Sequence, residues 1–214
     1  TSDILARFIS PKLTEAWGQP VIVENRTGAN GNVAADYVSK SAPDGYTLML
    51  GDIGAIDSAP SVYPTLPFDP VKDFTAVVMV SYSPHILAVH PSVPVSNVKE
   101  LIAYAKARPG QLNFAVSGTG GAPHLAGIEF QQRTGVQWTY IPYKGGSAAV
   151  LDVVAGQANI LFNGMLATYG QVKNGKLKAL GVSSAKRVPA APDLPTVAEQ
   201  GLPGFETGSW QGVV

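Results

Sequence analysis

Hydrophobic and polar positions change their spacing repeatedly along the chain, and these changes predict alternating helices and strands. Apolar residues recur at helical spacing over 4–17, and Pro11 is expected to kink or interrupt that helix. A short apolar run at 21–25 predicts a buried strand, and 42–50 predicts a turn followed by another strand, with a helical pattern between them. Helix, strand, helix and strand in this order indicate an α/β fold with a parallel sheet.

The same alternation restarts after two short strands that are predicted around 75–81 and 85–90. Asn97 can cap a helix there, and Glu100 completes a capping box. The restart predicts two α/β lobes that join near residue 89. Within the second lobe, strands are expected at 111–116, 136–143, 158–163 and 177–184, and helices at 122–135, 147–156 and about 165–174.

Composition narrows the functional classes. Apolar residues make up 45% of the 214 residues and charged residues only 14%, which disfavours disorder. The formal net charge is zero and Lys and Arg are scattered singly, which argues against nucleic acid as a partner.

The absence of cysteine excludes disulfides and thiolate chemistry. His85, His90 and His124 lie far apart in sequence, so no metal or cofactor site is predicted. Neither a membrane span nor a signal peptide is visible, so the chain is interpreted as a mature, truncated or cytosolic form.

The stretch 117–122 is a glycine-rich turn between a predicted strand and a predicted helix. A dinucleotide fingerprint needs a glycine where Pro123 stands, and a Walker phosphate loop needs a lysine that is absent here. Pro123 suits the first turn of a helix, so the free N–H groups of residues 119–122 would point out of a helix N-terminus, where an anion is favoured. A tight turn that binds nothing is the alternative.

Other strand ends carry residues that could line the same site. Asp52 could hold an amine, and Asn163 can donate or accept a hydrogen bond at the end of another strand. Lys144 precedes Gly145 in a second glycine turn, where the lysine either supplies charge for an anion or is simply solvated. Because ligands bind outside the carboxyl ends of the strands in open α/β sheets, these loops are candidates for one binding site.

Catalysis by serine is the competing hypothesis. A Ser117–His124 pair is disfavoured because its surroundings lack the G-x-S-x-G elbow of serine hydrolases, and the carboxylates form no convincing acid–base pair. The alternative is therefore a serine-dependent hydrolase or transferase of an α/β fold, using Ser117 or Ser209. A sensory or adaptor lobe that binds protein is a third hypothesis.

Residues 1–51 and five later segments together resemble the Bug family, the TctC-like solute receptors of tripartite tricarboxylate transporters. The later segments are, in the family's order, LPFDPVKDFTAVVMV, PSVPVSNVKELIAYAKARPGQLNFA, IPYKGGSAAVLDVVAGQ, NGKLKALGVSSAKR and PDLPTVAEQGLPGFE. The resemblance implies a periplasmic binding protein whose two α/β lobes close like a flytrap on a small carboxylate, an organic acid or an acidic amino acid. It also implies a monomer without enzymatic activity or cofactor, which delivers its ligand to membrane transporter subunits or to a sensor.

The resemblance assigns the ligand contacts to loops. Two strand–helix loops of the family grip one carboxylate, largely through main-chain N–H groups and ordered water, and more variable residues meet the far end of the ligand. The residues of this chain that match are Thr1, Ser2, Asp3, Asp52, Ile53, Gly54, Ser117, Thr119, Gly120, Gly121, Ala122, His124, Lys144, Gly145 and Asn163.

The chain also departs from the family pattern. The family's first strand, most of its first glycine loop and its long C-terminal segment are missing, so the chain is expected to be truncated at both ends. The first lobe, 1–88 with 207–214, is expected to be incomplete and to expose apolar surface, whereas the second lobe, 89–206, is expected to be whole. Asp52 stands where a small neutral residue is more usual, which suggests a ligand with an amino or ring-nitrogen donor.

Overall fold

The structure is a computed structural model that describes all residues, 1–214, and the chain divides into two compact units. Unit 1 contains Thr1–Ser81 and Trp210–Val214, and unit 2 contains Tyr82–Ser209. The chain therefore passes between the units twice, once in each direction. None of its helices combines the length and the apolar character that crossing a membrane requires.

Unit 1 is built around short elements. They are α1 (Ser2–Trp17), a 3-10 turn (Ala29–Gly31), α2 (Asn32–Ser39), β1 (Leu50–Asp52), a π-helical turn (Gly54–Ser58) and α3 (Ala59–Val62). β1 pairs antiparallel with the end of β7 (Gly208–Val213), where Leu50 faces Val213. The core of unit 1 is small and contains Ala35, Met49, Ala55 and Phe68.

Two expectations for unit 1 are wrong. The segment 21–25 is not a strand, because no neighbouring strand pairs with it and the N–H of Val21 donates to the Thr14 hydroxyl instead, at 3.0 Å. Pro11 does not interrupt α1, which runs unbroken from Ser2 to Trp17. Pro11 and Arg7 are both exposed, so water can hydrogen-bond the carbonyl that loses its helical partner.

Unit 1 exposes several large apolar side chains. No residue of α1 is buried, and its large apolar side chains Phe8 and Trp17 are 69% and 56% exposed. Ile22 is 86% exposed in the segment that follows. An amphipathic helix usually buries its apolar stripe against a core, so this face of unit 1 lacks packing partners within the 214 residues.

Unit 2 alternates strands and helices almost throughout. In chain order its elements are β2 (Val78–Val89, which begins in unit 1), α4 (Val98–Lys106), β3 (Asn113–Val116), α5 (Ala122–Thr134), β4 (Thr139–Pro142), α6 (Gly146–Val154), β5 (Ile160–Gly164), α7 (Met165–Lys173), β6 (Lys178–Val182) and a 3-10 turn (Ala198–Gln200). The predicted alternation of the second lobe is thus confirmed, and the fold class is α/β.

β2 is one 12-residue strand rather than the two short strands predicted at 75–81 and 85–90. Its second half is held on both sides, because β2 pairs antiparallel with β5 and also with β6. Leu87, for example, faces Phe162 on one side and Gly181 on the other. The polar residues before His85, which suggest a break in the sequence, instead continue the extended strand.

The parallel part of the sheet lies in unit 2. β3 pairs in parallel with both β4 and β5, so the three strands end at the same edge and each is followed by a helix. One face of the sheet packs on an aromatic cluster, in which Phe114 stacks on Trp138 at a ring-centroid distance of 4.8 Å. This core holds the carboxyl ends of β3, β4 and β5 in place.

The capping box predicted before α4 forms in part. Asn97 Oδ1 accepts the N–H of Glu100 at 2.9 Å, and Glu100 Oε2 accepts the N–H of Ser96 at 2.7 Å. Asn97 therefore satisfies one N–H group that a helix start leaves unpaired, and Glu100 holds the residue before the N-cap, so the helix begins at Val98.

Candidate functional site

The turn from β3 into α5 is the first part of the candidate site. β3 ends at Val116, and α5 begins at Ala122 with Pro123 in its first turn. Gly120 has a φ of +82°, a left-handed conformation that glycine adopts at little cost. Four small residues and this left-handed glycine let the chain reverse within Ser117–Gly121.

The N–H groups of this turn are not all free, contrary to the prediction for residues 119–122. The Gly120 N–H donates to His124 Nδ1 at 3.0 Å, and the Gly121 N–H donates to the Gly118 carbonyl at 3.3 Å. The Ala122 N–H donates to no group of the chain. Among these three groups, the Ala122 N–H is the donor that the helix N-terminus offers to a ligand.

The Gly120 contact determines how His124 can act. A backbone N–H can only donate, so Nδ1 must accept and the neutral ring carries its proton on Nε2. Partial burial lowers the pKa of His124 below its usual value, which favours this neutral form at pH 7. The ring also packs edge-on against Tyr140, with centroids 4.7 Å apart. His124 therefore orders the turn by accepting through Nδ1, and its one donor is Nε2–H.

The turn from β4 into α6 lies directly against the first turn. The Tyr143 N–H donates to the Val116 carbonyl at 2.9 Å, and the Gly145 N–H donates to the Ser117 carbonyl at 3.1 Å. Gly145 has a φ of +109° and precedes α6. Lys144, beside it, is exposed to solvent.

Asn163, near the end of β5, lies beside the turn that leads into α6. It is 5% exposed, and its Nδ2 donates to the Thr168 hydroxyl at 3.0 Å, which sets the orientation of the amide. A Cβ atom on Gly146 would lie 2.6 Å from Asn163 Oδ1. The structure therefore brings Ser117, Gly145 and Asn163 together where β3, β4 and β5 end.

The predicted residues of unit 1 lie around the start of α1 and the end of β1. Thr1 precedes α1, and Ser2 and Asp3 form its first turn. The Asp3 carboxylate accepts hydrogen bonds from Arg7 Nε at 2.9 Å and Asn25 Nδ2 at 2.7 Å. Asp3 is therefore already engaged inside unit 1.

Asp52 ends β1, and its carboxylate has a partner in its own turn. Oδ1 accepts the N–H of Gly54 at 2.9 Å, so Asp52 orders the segment that runs through Ile53 into the π-helical turn. Burial raises the pKa of the Asp52 carboxyl, even though the Gly54 N–H acts in the opposite direction. This capping role requires no ligand, and the amine-binding hypothesis stays a prediction.

The replacement Asp52→Asn should raise the melting temperature at neutral pH. A carboxyl whose pKa is raised by folding contributes stability below its ordinary pKa of 3.8 and loses that contribution as the pH rises through the raised pKa. Asparagine keeps an oxygen for the Gly54 N–H and carries no charge. Melting curves of both proteins from pH 3 to pH 8 test this, since the difference should vanish at the acidic end. A lower melting temperature for Asp52→Asn at pH 7 would contradict it.

Unit 2 contains a buried polar cluster that the sequence does not predict. We name it the His85 cluster, and its members are His85, Ser183, Thr207 and Ser209. The imidazole is fully buried, with Nδ1 3.1 Å from Thr207 Oγ1 and Nε2 2.9 Å from Ser209 Oγ. Burial lowers the pKa of His85 to about 4. His85 is separated from the other three members by 98 to 124 positions in sequence, so no local motif predicts the cluster.

Metal-ligating side chains do not gather in either unit. Residues 1–214 contain no group of three His, Asp or Glu side chains that could hold a metal ion. The chemistry of the site is therefore that of main-chain N–H groups, an imidazole, an amide and one exposed lysine.

The chain matches a known receptor family over nearly its whole length. A family model described as "Tripartite tricarboxylate transporter family receptor" (TctC) matches residues 5–214. The chain belongs to this family. BugT of Bordetella pertussis is 37% identical to the receptor over 215 residues, and the alignment covers all of this chain and 66% of BugT.

Solved structures agree with the family. The R. palustris protein Rpa4515, solved with adipate, superposes on the receptor with a TM-score of 0.98 at 40% identity, covering 100% of this chain and 71% of that chain. MatC from Rhodopseudomonas palustris, solved with bound malate, gives a TM-score of 0.94 at 32% identity, covering 100% and 72%. The chain thus has the fold of Bug and TctC periplasmic binding proteins, and it spans 61–66% of the length of the first curated relatives that it matches.

Proposed function

We propose that the receptor captures a small carboxylate, an organic acid or an acidic amino acid, in the periplasm and delivers it to a tripartite tricarboxylate transporter or to a sensor. The observation that carries the proposal is the contact between the two glycine turns, in which the Gly145 N–H donates to the Ser117 carbonyl. This contact places the N-termini of α5 and α6 side by side. Structures of Rpa4515 with adipate and of MatC with malate support a carboxylate as the ligand class.

The donors beside these helix starts suit an anion. The Ala122 N–H and the Nε2–H of His124 would donate to carboxylate oxygens, and the positive ends of the α5 and α6 dipoles would favour the negative charge. The Asn163 amide, held by Thr168, would meet a more distant polar group of the ligand. Ligand binding would act by favouring one conformation of the receptor, the form that its membrane partner recognises.

Enzymatic activity is not part of the proposal, although one serine–histidine pair has a suitable distance. Ser209 Oγ lies 2.9 Å from His85 Nε2, as in a nucleophile–base pair. The other ring nitrogen faces the Thr207 hydroxyl rather than a carboxylate, and a pKa of about 4 makes the imidazole a weak base at pH 7. Ester turnover by the purified protein that is lost in Ser209→Ala would revive the hydrolase hypothesis.

The replacement Gly146→Ala should weaken the binding of adipate about tenfold. The added methyl group would meet Asn163 Oδ1 at 2.6 Å, so the amide or the α6 turn must move. Calorimetric titration with adipate, malate and glutamate measures the effect and tests the ligand class at the same time. Gly170→Ala is the matched control, because nothing lies within 4 Å of its added methyl group in α7. Equal affinities for the Gly146→Ala and wild-type proteins would contradict a site at these turns.

A further inference from the structure

The two strands that connect the units carry polar side chains at their crossing points. β2 crosses from unit 1 to unit 2 between Ser81 and Tyr82, and β7 returns between Ser209 and Trp210. His85 follows the first crossing closely, and Ser209 is the last residue before the second. The His85 cluster therefore lies where unit 2 meets both connecting strands.

Inside unit 2 the His85 ring holds β2 to β7. Nδ1 contacts the hydroxyl of Thr207, the residue just before β7, at 3.1 Å, and Nε2 contacts the Ser209 hydroxyl on β7 at 2.9 Å. A neutral imidazole has one donor and one acceptor, and a hydroxyl can serve either, so both contacts are satisfied in each tautomer. The ring thus connects the two strands without requiring a charge.

Ser183 joins the same strands through the main chain. Its hydroxyl accepts the N–H of His85 at 2.8 Å and donates to the Thr207 carbonyl. Its own N–H donates to the His85 carbonyl, and its carbonyl accepts the Thr207 N–H, both at 2.9 Å. All polar groups of Ser183 are therefore paired, and such satisfied networks favour one arrangement of the strands over others.

A second contact joins the same two strands inside unit 1. The Ser81 hydroxyl donates to Gln211 Oε1 at 2.6 Å, and Gln211 is only 2% exposed. Side-chain hydrogen bonds between β2 and β7 therefore stand on each side of the crossing points. Apolar side chains could fill this buried space without needing partners, so these contacts call for an explanation other than burial alone.

We propose that His85 is a positioning residue that clasps β2 and β7 together, so that the two connecting strands move as one when the receptor binds its ligand. The inference rests on the proposed function, because a receptor that changes conformation on binding must bend where its chain passes between units. With the clasp, bending is confined to the residues between the His85 cluster and the Ser81–Gln211 contact. Without it, the two strands, which are hydrogen-bonded neighbours in the sheet, would be joined here by their main-chain pairing alone, and the conformational equilibrium that sets ligand affinity would change.

Two conservative variants of the full-length protein test the clasp: Ser209→Ala and Thr207→Val. Each removes one hydroxyl from the ring and keeps the histidine. We expect amide hydrogen exchange to rise about tenfold in peptides covering 82–86 and 205–210 and to stay unchanged in strand β3. Ser92→Ala is the matched control, because the Ser92 hydroxyl contacts His90 Nδ1 at 2.7 Å on an exposed turn. That control should alter neither segment.

Adipate affinity separates a clasp from a purely structural contact. We expect Ser209→Ala to change the affinity for adipate several-fold, although Ser209 is not among the proposed ligand contacts. Unchanged local exchange, exchange that rises equally in β3, or raised local exchange with unchanged affinity would each overturn the inference. If the wild-type protein binds neither adipate nor malate, the proposed function fails for these ligands, and the exchange result alone then decides the clasp.

Discussion

Replacing Gly120 with valine is expected to weaken adipate binding by roughly thirtyfold or more, which corresponds to about 2 kcal/mol. Gly120 has a φ of +82°, and a residue with a β-branched side chain pays at least ~1–2 kcal/mol to adopt that conformation. The turn would relax to a negative φ and withdraw the Gly120 N–H from His124 Nδ1. Both the Ala122 N–H and the imidazole would then lose their positions. Calorimetric titration at pH 7 measures the loss.

Gly110→Val is the matched control for this prediction. Gly110 also has a positive φ, +73°, and nothing lies within 4 Å of its added Cβ, so the backbone strain is comparable. It precedes β3, whereas Gly120 follows β3, so the two glycines lie at opposite ends of the same strand. We expect Gly110→Val to lower the melting temperature and to leave the affinity for adipate unchanged. Equal losses of affinity in both variants would mean that general destabilisation, rather than the turn, controls binding.

The elements of unit 2 could be predicted because each carries its own local signals. Asn97 and Glu100 mark the start of α4 within four residues, and Pro123 marks the first turn of α5. Short strands alternate with helices of nine to thirteen residues, so the apolar spacing changes at every boundary. Where the residues that start or end an element lie next to it in sequence, the sequence alone predicts that element.

Strand pairing was harder to predict because it depends on partners far along the chain. The run at 21–25 has the composition of a buried strand, yet nothing pairs with it and Ile22 remains exposed. β2 looks like two strands because polar residues interrupt it, yet β5 and β6 hold its second half extended. Apolar composition indicates that a segment can be buried, and only the tertiary structure supplies the partner.

The candidate site shows the same division between local and distant information. The glycine turn before α5 is visible in the sequence, and the structure places it as expected between a strand and a helix. The engagement of the Gly120 N–H by His124 is not visible, because it depends on one side-chain conformation. The His85 cluster is less visible still, since its members come from three distant parts of the chain.

Acidification should destabilise the receptor by about 3 kcal/mol between pH 7 and pH 4 through His85 alone. Burial lowers the pKa of His85 from 6.5 to about 4, so the unfolded chain takes up a proton in this range before the folded chain does. Stability is therefore complete above the ordinary pKa of 6.5 and is lost as the pH falls toward 4. Each unit of pKa difference corresponds to about 1.4 kcal/mol, which gives this magnitude.

Urea unfolding at several pH values, on the wild-type and His85→Gln proteins, measures this contribution. Glutamine does not titrate, and its amide can still contact the Thr207 or Ser209 hydroxyl, so the variant should be less stable at pH 7 but less sensitive to acid. Subtracting the two curves removes the contribution of His124, whose pKa is also lowered. His90→Gln serves as the control because His90 contacts Ser92 on an exposed turn. If the wild-type and His85→Gln curves ran parallel from pH 7 to pH 4, the pKa of His85 would be the same in the folded and unfolded chains, and the His85 cluster would have to tolerate a charged imidazole that its geometry gives no means of pairing.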